Sequence, residues 1–297
     1  MTTLDILIPH YNDPEGLALS LRSISRQVWK GEYRIVVADD GSRPDHLRSV
    51  KRIVERSNLK IDAVYNDINR GRPYTRNVLL DSIDSQYVAW LDSGDEWYPT
   101  KLASQFSTIR LINSACTSRP FWVTCNYDWM WVGGKKKRLT QHTHNDQLKD
   151  LLIGSRLRAY LWTLVGSSSS FKDVGWFDER LPRMQDLDFF IRFILHGGSL
   201  KSPQSSDTMC VYHKSDVGRN AKEIRACNSY IFDKHRVLYN RYGQTFKHMR
   251  LYQMDMLAAR FAQNNNDRKQ KNYYLWCAFK RRPKLMVKHV LKMGLKA

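Results

Sequence analysis

YRIVVADDGS, residues 33–42, passes from six residues that favour a strand into four that cannot continue one. Within Tyr33 to Ala38, the run Ile35-Val36-Val37-Ala38 is apolar without alternation and mostly β-branched, the pattern of a strand buried on both faces. Asp39-Asp40-Gly41-Ser42 closes it with turn formers and two carboxylates. Pro44 then opens a helix with Leu47, Val50 and Val54 on one side. The same unit repeats outward. Leu4 to Pro9 (LDILIP) reads as a buried strand, followed by a helix over Glu15 to Trp29 with Leu17, Leu21, Ile24 and Val28 on one face. Lys60 to Tyr65 is a third strand, Pro73 to Ile83 a helix, Gln86 to Leu91 (QYVAWL) a fourth strand, and a helix runs from beyond Pro99 to about Asn113. Strands alternating with helices predict an α/β fold with a mostly parallel sheet covered on both faces.

Past residue 115 the rhythm changes. Phe121 to Val132 (FWVTCNYDWMWV), the turn signal Gly133-Gly134 and the basic run from Lys135 predict an antiparallel hairpin added to the parallel sheet. Asp186 to His196 (DLDFFIRFILH) predicts a helix stopped by Gly197-Gly198. Beyond Val217 the chain reads as helices to its end.

Of the 297 residues 42% are hydrophobic, ample for a core. The formal net charge is +19, and its distribution is uneven. From Val211 to Ala297 there are 20 Lys and Arg against 5 Asp and Glu; the first 210 residues hold 28 against 24. A nearly neutral body with a basic tail region argues against a nucleic-acid-binding protein, whose charge would coat the fold that does the binding. Asp5 interrupts the one apolar start, so no secretory signal is expected, and no run reaches the roughly 18 apolar residues of a membrane span. Five cysteines at wide spacing (Cys116, Cys125, Cys210, Cys227, Cys277) read as reduced thiols rather than a zinc or redox motif.

In a doubly wound sheet, ligands bind beyond the carboxyl ends of the strands. There the sequence places His10-Tyr11-Asn12-Asp13, Asp39-Asp40-Gly41-Ser42, Asn66 to Arg72, and Asp92-Ser93-Gly94-Asp95. Carboxylates beside Arg70, Arg72 and Arg76 suit a phosphate ligand with a divalent metal; helix capping is the competing use of such Asp and Asn residues.

The segments ILIPHYNDPEGLALSLRSISRQ, RIVVADDGS, NRGRPYTRN, YVAWLDSGDEWYPTKL and FDERLPRMQDLDFFIRF resemble, in order and spacing, the motifs of family 2 glycosyltransferases across roughly residues 3 to 215. The resemblance implies a GT-A fold and inverting transfer from a nucleotide-sugar, a UDP-sugar first. It implies a donor site of Pro9, Tyr11, Asp39, Arg76 and Asp92, with Asp39 toward the base and Arg76 toward base or diphosphate. Asp186 falls at the catalytic base, with Gln185 where the family has glutamate, and Asp188 reads as a first-turn helix charge. Mg²⁺ or Mn²⁺ would be held by Asp92, Asp95 and His213. Gly94 stands where the family's second metal-site acid is expected, so the alternative is a tight turn with metal binding lost. Trp129 or Trp131 is expected to stack on the acceptor.

The resulting expectation is a GT-A domain over 1–215, with 1–100 on the nucleotide-sugar side and 101–215 on the acceptor side, and a helical basic region over 216–297. In that region Lys284, Lys288, Lys292 and Lys296 recur on one helical face opposite Met286, Val287, Val290, Leu291 and Met293. This predicts association with an anionic membrane surface. The chain therefore reads as a cytoplasmic enzyme, peripheral on the inner membrane, acting on a glycan or lipid-linked acceptor in surface-polysaccharide or lipopolysaccharide synthesis. A catalytically inactive scaffold of the same fold is the competing reading.

Overall fold

The computed structural model describes residues 2–115, 119–131, 133–154, 156–214 and 220–294, with residues 289–294 described by their backbone alone. It divides into two compact units, Met1–Lys214 and Ser215–Ala297.

The first unit is built on β1 (Thr3–His10), which is buried from Leu4 to His10 on both faces. An apolar run can occupy such a position only as a central strand. β1 pairs in parallel with β2 (Glu32–Asp39) on one side and β4 (Tyr87–Trp90) on the other. β3 (Ile61–Tyr65) extends the β2 side in parallel. Between these strands run α1 (Pro14–Ser25), α2 (Pro44–Glu55) and α3 (Arg72–Asp81), each opened by a proline in its first turn, where the missing N–H costs nothing. The chain steps away from β1 in one direction through β2 and β3, then returns to its other side with β4. The crevice at the carboxyl ends of β1 and β4 is thus the topological switch point, where a doubly wound sheet binds ligands.

β5 (Glu96–Trp97) and α4 (Lys101–Ser114) follow, then β6 (Phe121–Val123), β7 (Asn126–Trp131), β8 (Lys136–Leu139) and α5 (Gln147–Ile153). β9 (Val165–Ser167), α6 (Ser168–Val174), α7 (Gln185–Leu195), β10 (Ser199–Lys201) and β11 (Thr208–Lys214) complete the unit. The main sheet has the order β10-β6-β9-β4-β1-β2-β3, with β9 antiparallel to both neighbours. The stretch from Phe121 expected to form one arm of a hairpin is divided: Phe121–Val123 joins the main sheet as β6, and only Asn126–Trp131 forms the hairpin with β8, which does not join that sheet. The hairpin belongs to a second sheet, β5-β11-β7-β8, because its partner strand β11 arrives only after residue 207. The same pairing brings Cys125 and Cys210 to 3.4 Å as a buried thiol pair without a disulfide.

α7 is mounted firmly. Trp122 on β6 stacks on Phe193 at 3.6 Å and on Phe171 at 4.5 Å, and its indole N–H donates to Ser170 Oγ at 2.8 Å. Each such aromatic pair adds about 0.5–1.5 kcal/mol beyond area burial.

The second unit contains α8 (Ala221–Lys234), α9 (Arg236–Arg241), α10 (Gly243–Asn264), α11 (Arg268–Arg281) and α12 (Pro283–Gly294). Tyr252, Ala278 and Met286 form a small core between α10, α11 and α12. Met286 was expected on a lipid-facing surface; it packs inward instead, whereas Val287 is exposed. Val290, Leu291, Met293, Lys292 and Lys296 lie outside the described side chains. Among the described residues no helix is long and apolar enough to cross a membrane.

Candidate active site

Two loops are stitched together at the carboxyl ends of β1 and β2. Asp39 is fully buried. Its Oδ2 faces His10 Nδ1 at 2.7 Å and accepts from Ser42 Oγ at 2.6 Å, while Oδ1 accepts the Ser42 N–H at 2.8 Å. Burial alone would raise this carboxyl, but the bonds from His10 and Ser42 hold it below the ordinary value. The next acid, Asp40, accepts the backbone N–H groups of Arg70 and Gly71, each at 2.9 Å, and the Asn69 side-chain amide at 3.1 Å. Gly41 (φ +66°) makes this possible: a Cβ there would lie 2.3 Å from the Ile68 carbonyl carbon. The ADDGS turn therefore clamps the loop that launches α3.

α3 delivers Arg76 into the switch-point crevice. Its side chain has no exposed surface. One terminal nitrogen donates to both oxygens of Asp92, at 2.9 and 3.2 Å, and the other donates to Asp186 Oδ1. A buried guanidinium thus bridges an acid just beyond β4 and an acid in the first turn of α7, 110 residues away from it in sequence. Both acids remain partly open, Asp92 by 21% and Asp186 by 17% of the side chain. Their titrations diverge. For Asp92, burial is outweighed by Arg76 and Arg72, which hold it low. For Asp186, burial outweighs Arg76, and repulsion from Asp92 adds to it, so its carboxyl is raised.

α7 begins abruptly. Met184 adopts a left-handed conformation (φ 63°), which turns the chain so that Asp186 enters the crevice. Asp188, by contrast, is buried and accepts from Arg192 at 2.9 Å, and Arg192 in turn donates to the Trp176 carbonyl at 2.7 Å. Asn77, beside Arg76, holds the same segment through both the N–H and the carbonyl of Phe177, at 2.8 and 3.1 Å. Sequence reasoning missed Asn77, though the TRN segment contains it, and it placed Asp40 and Ser42 at the strand end without assigning their roles: Asp40 holds the loop before α3, and Ser42 holds Asp39.

The structure brings together Arg76, Asp92 and Asp186. Tyr11 is half-exposed just past the end of β1, whereas Pro9 is buried within the strand. The Asp39 and Arg76 side chains have no exposed surface in this arrangement: both Asp39 oxygens are taken by His10 and Ser42, and both terminal nitrogens of Arg76 by Asp92 and Asp186. Trp90, Trp97 and Trp162 are core residues, and Trp129 and Trp131 meet edge to face at 5.9 Å, both partly buried.

Residues 5–161 match the sequence profile described as Glycosyl transferase family 2, over half of the chain. The chain belongs to this family. Similar family members include the amylovoran biosynthesis glycosyltransferase AmsB of Erwinia amylovora, 27% identical over 64% of this chain and 63% of that protein. Another is WfgD of Escherichia coli, a UDP-Glc:alpha-D-GlcNAc-diphosphoundecaprenol beta-1,3-glucosyltransferase, 27% identical over 51% of this chain and 57% of that protein. The chain thus spans less than two thirds of either relative. Among solved structures, S. aureus TarS 1-349 in complex with UDP-GlcNAc superposes with a TM-score of 0.58 at 16% identity, over 95% of this chain and 92% of that one. The mannosyltransferase PcManGT of Pyrobaculum calidifontis, in complex with GDP-Man and Mn2+, gives 0.55 at 15% identity, over 99% and 75%. These two show the family's GT-A fold.

The residues expected to hold such a metal ion are arranged otherwise here. Asp92 has both oxygens on Arg76. Asp95 is buried, its Oδ1 accepts the His213 N–H at 3.1 Å, and burial together with the Asp92 charge raises its carboxyl well above the usual range. The His213 ring faces Glu96 at 2.7 Å. Among the described residues no three His, Cys, Asp or Glu side chains come together as cation ligands. The donor set does not fit a divalent ion.

Proposed function

We propose that the chain is an inverting glycosyltransferase moving a sugar from a nucleoside-diphosphate sugar, a UDP-sugar first, to a hydroxyl of a glycan or lipid-linked acceptor in surface-glycan synthesis. The observation that carries this reading is Asp186: a partly open carboxylate at a helix start, in the crevice where this fold takes its ligands. Its raised carboxyl makes it a better proton acceptor than an ordinary aspartate. The acceptor oxygen attacks the anomeric carbon from the face opposite the nucleotide. Its proton passes to Asp186 as the new C–O bond forms, and the C–O bond to the diphosphate breaks, its electron pair leaving with the nucleotide. Inversion follows from that geometry. Arg76 orients Asp186 and keeps its second neighbour, Asp92, paired. WfgD's UDP-glucose and TarS's UDP-GlcNAc support a uridine donor.

Membrane attachment is the second part of the proposal. The attaching face is on α11 rather than α12. Tyr273, Trp276 and Phe279 are about half-exposed there, Lys269 and Lys280 are exposed beside them, and the opposite side of the helix buries Tyr274 and Ala278. Lys280 Nζ sits 3.3 Å above the Trp276 ring. Interfacial aromatics flanked by lysines suit an anionic lipid surface.

The test is nucleotide release from a panel of UDP- and GDP-sugars, with lipid-linked and free glycan acceptors. The proposal expects acceptor-dependent release of one nucleoside diphosphate. Donor binding without turnover on any acceptor would favour the scaffold reading instead.

A further inference from the structure

We propose that arginine takes the place of a divalent cation at the donor's diphosphate, with Arg72 as the side chain presented to the phosphates. This rests on the nucleotide-sugar reading above.

Four observations on the acid side agree. Asp92 gives both oxygens to Arg76, so a metal there would bind an acid whose charge a buried guanidinium already neutralises. Position 94 has no side chain, and its loop is shaped for none: φ is +91°, and a Cβ there would stand 3.2 Å from Asp13 Oδ2. Asp95 turns inward to the His213 N–H, and its carbonyl accepts Ser20 Oγ at 2.8 Å. His213 is engaged with Glu96. A hard cation prefers six or more oxygen ligands, and this loop leaves almost the whole shell to water and phosphate.

The basic side supplies what the loop lacks. Arg72 and Arg76 are four residues apart on α3 and share one face. Because Arg76 reaches down to Asp92 and Asp186, Arg72 stands one turn nearer the helix start. It is exposed, and its charge acts on Asp92, Asp95 and Asp186 alike. The backbone beneath it is fixed, since Asp40 holds the N–H groups of Arg70 and Gly71. The neighbouring Arg70 is stacked on Tyr74 at 3.6 Å. A guanidinium fork binds phosphate oxygens in pairs and needs no coordination shell.

The experiment is calorimetric titration of the full chain with UDP, and in parallel with GDP, in EDTA and in Mn²⁺. The expected result is nucleotide affinity equal in the two buffers within about threefold. Arg72→Ala should weaken the nucleotide about tenfold or more in both buffers, the loss of charge-assisted phosphate bonds, while uridine, which has no phosphate, binds both proteins equally. The Mn²⁺ paramagnetic resonance signal should stay that of the free ion when the protein is added. Nucleotide binding lost in EDTA and restored by Mn²⁺ would overturn the proposal, as would an Arg72→Ala protein with undiminished affinity. If neither nucleotide binds in either buffer, the donor reading itself falls and this inference with it, an outcome distinct from a metal requirement.

Discussion

Arg76→Met removes the one group that bridges Asp92 and Asp186 while keeping much of its volume. Breaking a buried ion pair by deleting one partner costs about 3–5 kcal/mol, because the remaining charge is stranded. Here the stranded acids are two, but each keeps about a fifth of its side chain open to water. The expected loss therefore lies at the lower end, about 3 kcal/mol at pH 7. For a unit of this size it corresponds to about 6–12 °C in Tm. Urea unfolding followed by tryptophan fluorescence is the right measurement, since eight of the nine tryptophans precede residue 215. The pH dependence supplies a second check. In the wild type Asp92 is held low and Asp186 is raised, so their contributions to the pH profile oppose one another. Without Arg76 both carboxyls rise above their unfolded values. Their ionised forms are then a penalty that protonation relieves, and the variant's deficit should shrink as pH falls from 7 toward 5. A loss below about 1 kcal/mol, or a deficit constant across that range, would refute the bridging role of Arg76.

Four further outcomes are expected. Asp186→Asn should lower turnover by about 10²-fold or more with nucleotide affinity unchanged; near-normal turnover would remove Asp186 as the base. The acidic limb of the wild-type pH–rate profile should lie above the ordinary carboxylate range, and Asp92→Asn should move it down, since Asp92 is one of the charges raising Asp186; an unmoved limb contradicts that coupling. Gly94→Ala should cost about 1–2 kcal/mol from its positive φ, read in urea, and a stability equal to the wild type would show that the loop relaxes freely. Trp276→Glu should release the protein from anionic vesicles in flotation while nucleotide binding persists, and continued flotation would locate attachment elsewhere.

Much of the first unit was legible because its strands are uninterrupted apolar runs ended by turn formers; β1 to β4 lie within a few residues of the segments read from the sequence. Misreadings arose where a distant partner decides. Val28 continues the apolar face of α1 by spacing, yet the helix ends at Ser25 and Val28 is exposed. The reason is that its backbone N–H pairs with the Pro99 carbonyl at 3.0 Å, which no local pattern encodes. The β7–β8 hairpin was visible, but its sheet was not, because β11 supplies the neighbouring strand more than 75 residues later. At the site, Asp92, Arg76 and Asp186 could each be singled out by motif. Their bridging could not, since a salt bridge across 110 residues leaves no periodicity.

These contacts also bear on how an acid-lined crevice could accept an anion. Asp92 lies within electrostatic reach of both Asp95 and Asp186, and three ionised carboxylates would repel a diphosphate. The fold disposes of two of them differently. Asp92 is neutralised by the buried guanidinium it shares with Asp186, and Asp95 is buried and pushed toward its neutral form. Asp186, held by Arg76 through one oxygen and partly open to the crevice, is left as the carboxylate that takes a proton, and Arg72 as the exposed cation one helical turn away from Arg76. Charge balance in the crevice is then met from within the chain, with the base kept and the electrostatic obstacle to the donor removed. The loop at Gly94 and the bridge at Arg76 are therefore two parts of one arrangement: an acid restored at position 94 would need a new counter-charge, and Arg76 is already engaged on both sides.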